Sequence, residues 1–213
     1  MYIEEKLNSK FLGLHLDNHL HWKGHIDQII PKLSGACYAV RSMFYISNIN
    51  TLKSIYFAYF HSIVQYGIIF WGNSSSSRKI FTLQKKIIRI MVGAHPRTSC
   101  RSLFRKLGIL PVPCQYILSL MNFLINNQEN FHTNSSMHNI NTRNKYHFYR
   151  PIVNLSCYQK SAFFSCIRIF NNLPSDIKNL KNEKTKFRTA LEVYLNAHSF
   201  YSVDEFLMST VNL

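Results

Sequence analysis

The sequence predicts a mainly α-helical protein that opens on a small β-hairpin, continues into a helical bundle and ends in a smaller helical part. Three observations predict it. Apolar residues recur three and four apart along most of the chain, the period of one helix face. Alternation of period two is confined to a short N-terminal stretch, where Phe11, Gly13 and His15 interleave with Leu12, Leu14 and Leu16. The helical stretches are punctuated: Gly93 with Pro96 and then Gly108 end two of them, and Pro111 with Pro113 precede the next.

The hairpin is expected from strands 2–7 and 10–16 around an Asn8-Ser9 turn, with one leucine-rich face. Trp22, Ile26, Ile29, Ile30, Leu33, Cys37, Val40 and Phe44 then mark the inward face of a first helix, and Pro31 inside it predicts a kink or a break. Asn50 is expected to cap a second helix carrying Leu52, Ile55, Tyr56, Tyr59, Phe60, Ile63 and Val64. The most apolar stretch, 55–71, is interrupted by His61 and Gln65. It is shorter than the ~20 residues that span a bilayer, so it is read as a buried helix and no membrane partner is expected. A third helix, near 78–92, turns Ile80, Leu83, Ile87, Ile90 and Met91 inward and Arg78, Thr82, Lys85, Lys86 and Arg89 outward.

Short helices are expected near 100–107 and 115–125. From Asn126 the chain turns polar and Asn-rich, which reads as a linker between domains. Beyond it, 146–158 reads as extended and 161–170 as helical. A turn at Asn172-Leu173-Pro174 leads to a basic helix near 183–196 that closes the ordered part. The expected division is therefore 1–21, 22–125, 126–145 and 146–213.

Charge points to a partner. Lys and Arg total 25 against 10 Asp and Glu, a net +15. Self-repulsion at that charge favours an acidic partner, with the RNA or DNA backbone first and a membrane surface second. The plain alternative is a basic protein without such a partner. Candidate phosphate-binding residues are Arg78, Lys85, Lys86 and Arg89, and a second group of Lys178, Lys181, Lys184, Lys186 and Arg188. Each is equally an ordinary solvated helix face. The five cysteines include no CxxC pair, which fits neither a disulfide framework nor a zinc ribbon. The N-terminus carries no apolar signal core, so an intracellular location, cytoplasmic or nuclear and not secreted, is expected.

Catalytic chemistry finds little support. Two-metal nucleotidyl transfer needs clustered carboxylates, and the only adjacent pairs, Glu4-Glu5 and Asp204-Glu205, read as solvated surface near the termini. His15, His19, His21 and His25 straddle strand, turn and helix start without a cysteine, so no metal is assigned to them. There is no GxSxG, no cysteine in a recognisable catalytic context and no Gly-rich phosphate loop.

The segment Phe11-Leu12-Gly13-Leu14-His15-Leu16-Asp17, followed by Leu20, Trp22, His25 and Ile26, resembles a block of LINE-type, non-LTR retrotransposon reverse transcriptases (RNA-directed DNA polymerases). In that family the block leads from the primer-grip hairpin into the helical thumb. Ile55-Tyr56, Tyr66-Gly67 and Trp71-Gly72 resemble its next helical landmarks. Leu83 to Ile90 followed by Gly93-Ala94 resembles its Leu-Gln-Lys and Gly-Ala segment. His138 with Asn141-Thr142-Arg143 resembles its Asn-Thr-Arg element, and Phe170-Asn171-Asn172-Leu173-Pro174 resembles its Trp-Asn-x-Leu-Pro ending, with Phe170 in place of the tryptophan. The matches run in order along nearly the whole chain.

The resemblance implies a fragment that grips primer and template and is not an enzyme by itself. The family's paired catalytic aspartates, with their Mg²⁺, belong to an upstream polymerase region expected as a partner and not found in this sequence. No cofactor is expected in the chain itself. The reading from another class is a helical protein-interaction module, or a decayed reading frame without selected activity.

Overall fold

A computed structural model describes residues 7–138 and 143–211, apart from the side chains of Cys157, Thr210 and Val211. The protein is mainly helical, with a two-stranded antiparallel hairpin at its N-terminal end. The chain forms two compact units, 1–112 and 113–213.

In the first unit, β1 (Asn8–Phe11) pairs with β2 (Leu14–Asp17) in the register Asn8 to Asp17 and Phe11 to Leu14. The turn is therefore Leu12-Gly13, not Asn8-Ser9, and of the expected first strand only Leu7 lies within the described residues. Both turn residues have positive φ, 46° and 79°, as the tight turns favoured by twisted hairpins require. Glycine supplies one at no steric cost. The leucine-rich face does not form as expected: Leu14 is buried, Leu12 is exposed and Leu16 is half-buried.

α1 (Lys23–Met43) runs through Pro31 without a break. An interior proline costs ~3 kcal/mol. Beyond it, Leu33 and Val40 are fully buried along with Ala36 and Cys37, and each large aliphatic side chain returns roughly 1.5–3 kcal/mol. Burial wins. α2 (Ile49–Ile55) is capped by Asn48, whose side chain accepts from Thr51 N at 2.9 Å, two residues ahead of the expected Asn50.

The helix then passes through a π-helical stretch, Tyr56–His61, into α3 (Ser62–Gln65). The wider winding has a readable cause. The buried residues Leu52, Tyr56, Phe60 and Val64 are each four apart, and on a regular α-helix that spacing drifts about 40° per step. The π turns, closing i to i+5, bring them back to one side. Tyr66-Gly67 then ends the run, with Gly67 at φ 65°, so the apolar stretch 55–71 is not one helix; α4 (Ile68–Trp71) follows.

α5 (Ser77–Met91) packs on α1 and buries Ile80, Phe81, Gln84, Ile87, Ile88 and Met91. Leu83 and Ile90, expected inward, are only half-buried. The helix closes in a Schellman motif: Gly93 at φ 64°, with Gly93 N donating to Ile90 O and Ala94 N to Arg89 O. A Cβ on Gly93 would stand 2.9 Å from Phe44 Cζ, so this position needs glycine twice over. α6 (Arg101–Leu107) stacks Phe104 on Phe81, centroids 6.2 Å apart, and ends at Gly108 as expected.

α7 (Val112–Asn126) begins three residues earlier than expected, with Pro113 in its first turn, where a missing N–H costs nothing. In the second unit its buried Ile117, Leu120, Met121 and Leu124 share the core with Ile167 and Phe170 of α10 (Ala162–Asn171) and with Phe187, Leu191 and Leu195 from the basic helix near the C-terminal end.

The Asn-rich segment is not the boundary. The division falls at Val112-Pro113, and the described part of 126–145 is folded into the second unit. Phe131 is buried, stacked 4.6 Å from Phe163. Tyr149 N donates to His132 O, and Asn134 N donates to His147 O. One apolar side chain and a set of backbone hydrogen bonds anchor a stretch whose composition looked structureless. A 3₁₀ turn, Gln128–Asn130, and α8 (Asn134–His138) lie within it.

The rest of the second unit comprises α9 (Ser156–Gln159), α11 (Ser175–Lys178), α12 (Lys184–His198) and α13 (Val203–Val211). Only a single bridge at Phe148 and then α9 stand where an extended segment was expected. α13 follows the basic helix that was expected to close the ordered part. Its first turn is capped by Ser202 Oγ, which accepts from Glu205 N at 3.0 Å, while Glu205 Oε2 accepts from Tyr201 N at 2.7 Å. Glu205 is thus a half-buried capping carboxylate, not solvated surface. Among the described residues no single helix is long and apolar enough to cross a membrane.

Candidate nucleic-acid interface

Most of the motif residues in the first unit converge on one knot that seats the hairpin against the helices. Asp17 is its hub. Its carboxylate accepts from the backbone N–H groups of His19 (3.2 Å), His21 (2.8 Å) and Trp22 (2.9 Å). These bonds hold a turn in which Leu20 and Trp22 both have positive φ, a conformation that costs a non-glycine residue roughly 1–2 kcal/mol. Partial burial raises the Asp17 pKa, and the three N–H donors more than offset it, so the carboxyl sits below its ordinary range.

Trp22 stacks on Phe70 and meets His25 edge-on, and His25 lies 6.2 Å from the Trp71 ring. Trp71 is fully buried, and its Nε1 donates to Tyr66 O at 3.0 Å. The Tyr66 hydroxyl donates to Leu12 O and so clamps the hairpin turn. Gly67 completes the fit, since a Cβ there would lie 2.8 Å from Leu14 Cδ2. Of the same block, Phe11 stays exposed.

His25 is buried, and its Nδ1 has no hydrogen-bond partner. Burial pushes its pKa below 6.5, with His15 and Lys32 adding to the effect. Above that pH neither the folded nor the unfolded chain is protonated at this site. Below it the unfolded chain takes up the proton first, so stability falls as pH falls. The melting temperature is expected to drop between pH 7.5 and pH 5. His61 and His147, also held low by burial, contribute. A His25→Gln variant should lose part of the drop; identical pH profiles for the two proteins would refute the assignment. Among the described residues no three His, Cys, Asp or Glu side chains are placed to hold a metal ion, and Cys37, Cys100, Cys114 and Cys166 are buried thiols.

The basic residues of α5 do not form a single face. Arg78, Lys85 and Arg89 lie along one line, seven and four residues apart, while Lys86 sits about 100° further round the helix. Lys85 Nζ lies 4.7 Å over the Phe81 ring, and Arg89 Nε donates to Thr98 O at 2.9 Å. Both contacts orient the cationic heads, and neither partner carries a formal negative charge. A fifth cation of this helix, Lys79, is paired with Asp27 of α1 at 2.7 Å. Arg78 and Lys86 are exposed.

Lys86 and Arg89 also line an open groove of about 550 Å³ with Arg41, Phe44, Tyr45, Ile90, Gly93, Ala94 and Pro96. Arg41 and Tyr45 escaped the sequence reading, although Tyr38, Arg41 and Tyr45 recur three and four apart, the first two on the exposed side of α1 and Tyr45 just past its end.

In the second unit Lys184, Lys186 and Arg188 are exposed on the first turns of α12, where Lys186 pairs with Glu183 at 2.5 Å. Lys178 is structural: half-buried, it donates from Nζ to Asn171 O at 3.3 Å, and burial lowers its pKa. In the Asn172-Leu173-Pro174 element, Leu173 is buried and Pro174 O accepts from Ile177 and Lys178. Asn172 only returns to Arg168 O, at 2.8 Å. The clamping residue is Asn171, whose amide both accepts from Phe148 N (3.0 Å) and donates to Phe148 O (2.8 Å). His138 and Arg143 are exposed, with the His138 ring edge-on to Tyr149. Asn141, Thr142, Glu4 and Glu5 lie outside the described residues.

Comparison with protein-family models, with curated proteins and with solved structures finds no match for this chain.

Proposed function

We propose that the chain binds RNA or DNA through the phosphate backbone, as the primer-grip and thumb portion of a non-LTR retrotransposon reverse transcriptase. The observation that carries the binding reading is the exposed cationic surface of α5 on a chain of net charge +15. Arg78, Lys86 and Arg89 make no ion pair among the described residues. Contacts of this kind position a nucleic acid without reading its sequence. The family reading rests on the ordered motifs and is supported by their convergence: Leu12, Asp17, Trp22, His25, Tyr66, Gly67 and Trp71 form one connected knot. In this reading the chain performs no polymerase chemistry by itself. The carboxylates that would hold Mg²⁺ belong to an upstream region, and the whole acts inside the cell.

A salt titration tests the binding reading. Log affinity for duplex DNA should fall linearly with log salt, with slope about −0.9 per neutralised phosphate, hence about −3 to −4 for four contacts. Changing Lys85 and Lys86 together to Ala should flatten the slope by roughly two and weaken all sequences alike. Salt-insensitive binding, or a double variant indistinguishable from the parent, would sink this face.

A helical protein-interaction module is the second reading, and one observation favours it. Leu7, Phe11, Leu12, Leu20 and Phe70 are exposed on and beside the hairpin, a cluster of apolar side chains that marks contact surfaces. In the polymerase reading the same cluster is what the upstream region would cover.

A further inference from the structure

The groove beside α1 and α5 has a composition that phosphate tracking alone does not need. Its rim carries three cations, Arg41, Lys86 and Arg89, and no acid. None of the three makes an ion pair among the described residues. Its floor is apolar, from Phe44, Ile90, Ala94 and Pro96. Tyr45 stands at the lip 89% exposed, its ring held edge-on against Phe44 at 5.1 Å, and Tyr38 stands 73% exposed two helical turns back.

Both helices end here, so their backbone carbonyls present partial negative charge. Anion binding therefore falls to the side chains at the rim. Arg89 is already oriented by its bond to Thr98 O, and Gly93 brings the loop backbone onto Phe44.

Three cations without an acid select an anion. An apolar floor with an exposed aromatic ring selects an anion that carries a flat apolar part. A duplex hides its base faces, whereas a single strand offers them, and base–aromatic stacking is tolerant of sequence. We infer that this groove binds an unpaired nucleotide of single-stranded RNA or DNA, its base stacked on Tyr45 and its phosphate held by Arg41, Lys86 and Arg89. The inference rests on the nucleic-acid reading above and deepens it from duplex backbone to the single strand.

The test uses the full chain and fluorescence anisotropy with three probes: a twelve-nucleotide adenosine single strand, the same backbone with abasic sites, and a blunt duplex. The parent is expected to bind the base-bearing strand about tenfold more tightly than the abasic one. Tyr45→Ala should erase that preference while leaving duplex affinity and its salt slope unchanged, and Tyr45→Phe should keep it. Equal binding of the base-bearing and abasic strands by the parent overturns the inference, as does a preference that survives Tyr45→Ala. The two readings separate cleanly. A Tyr45-dependent preference with a duplex slope indifferent to Lys85 and Lys86 supports the groove and removes the α5 face. A duplex slope that responds to those lysines, without a base preference, does the reverse.

Discussion

Replacing Gln84 with Met is expected to destabilise the first unit by about 4 kcal/mol. Gln84 is fully buried, and its amide is fully used. Nε2 donates to the Tyr56 hydroxyl and to Leu110 O, both at 2.9 Å, and Oε1 accepts from Val112 N at 2.8 Å. Methionine matches the shape and makes none of these bonds. A buried donor or acceptor stranded in this way costs roughly 1–3 kcal/mol, and three are stranded. A denaturant titration reads the effect as a lowered midpoint with an unchanged slope. Tyr56→Phe alone should cost about 1 kcal/mol, and close to nothing in the Gln84→Met background, because its partner is already gone. Additive losses would show that the two groups do not act together.

Removing the Asp17 carboxylate is expected to cost about 2–3 kcal/mol. Asp17→Ala removes three charge-assisted bonds that hold Leu20 and Trp22 at positive φ. The donors are exposed or only part-buried, so water replaces some of what is lost. This keeps the figure below the sum of three separate bonds. Asp17→Asn keeps acceptors without the charge and should cost about half as much. Amide hydrogen exchange locates the effect: His19, His21 and Trp22 should lose protection first, while α5 keeps its own. A midpoint unchanged in Asp17→Ala would mean that the tryptophan and histidine packing alone sets this turn. The Asp17 contribution is present above its unfolded pKa near 3.8 and is lost as pH falls through the lower folded value. At neutral pH it is therefore fully expressed.

Both residues show what a sequence carries and what it hides. Asp17 and Gln84 stand inside recognisable motifs, and their places there are legible. Their jobs are not. A glutamine among Lys85, Lys86 and Arg89 looks like one more polar residue on a wet helix face. Only the chain end of a helix turn 26 to 28 residues away, at Leu110 and Val112, makes it a buried strut.

By itself the sequence determined the helical class, the positions of α1, α5, α10 and α12 to within about three residues, the stops at Gly93 and Gly108, and the excess positive charge. These depend on neighbours within a turn or two: apolar spacing, capping side chains and residues that tolerate positive φ. The α13 start was also legible, in Ser202 and Glu205, though it was not read. The tertiary structure decided the hairpin turn, the passage of α1 through Pro31, the boundary at Val112-Pro113, the anchoring of the Asn-rich segment through Phe131 and the groove at Tyr45. The physical reason is common to all five. Each is settled by contacts between residues far apart in sequence, as Tyr66 with Leu12, Phe131 with Phe163 and Phe44 with Gly93. The free energy of such contacts outweighs local preferences of ~1–3 kcal/mol.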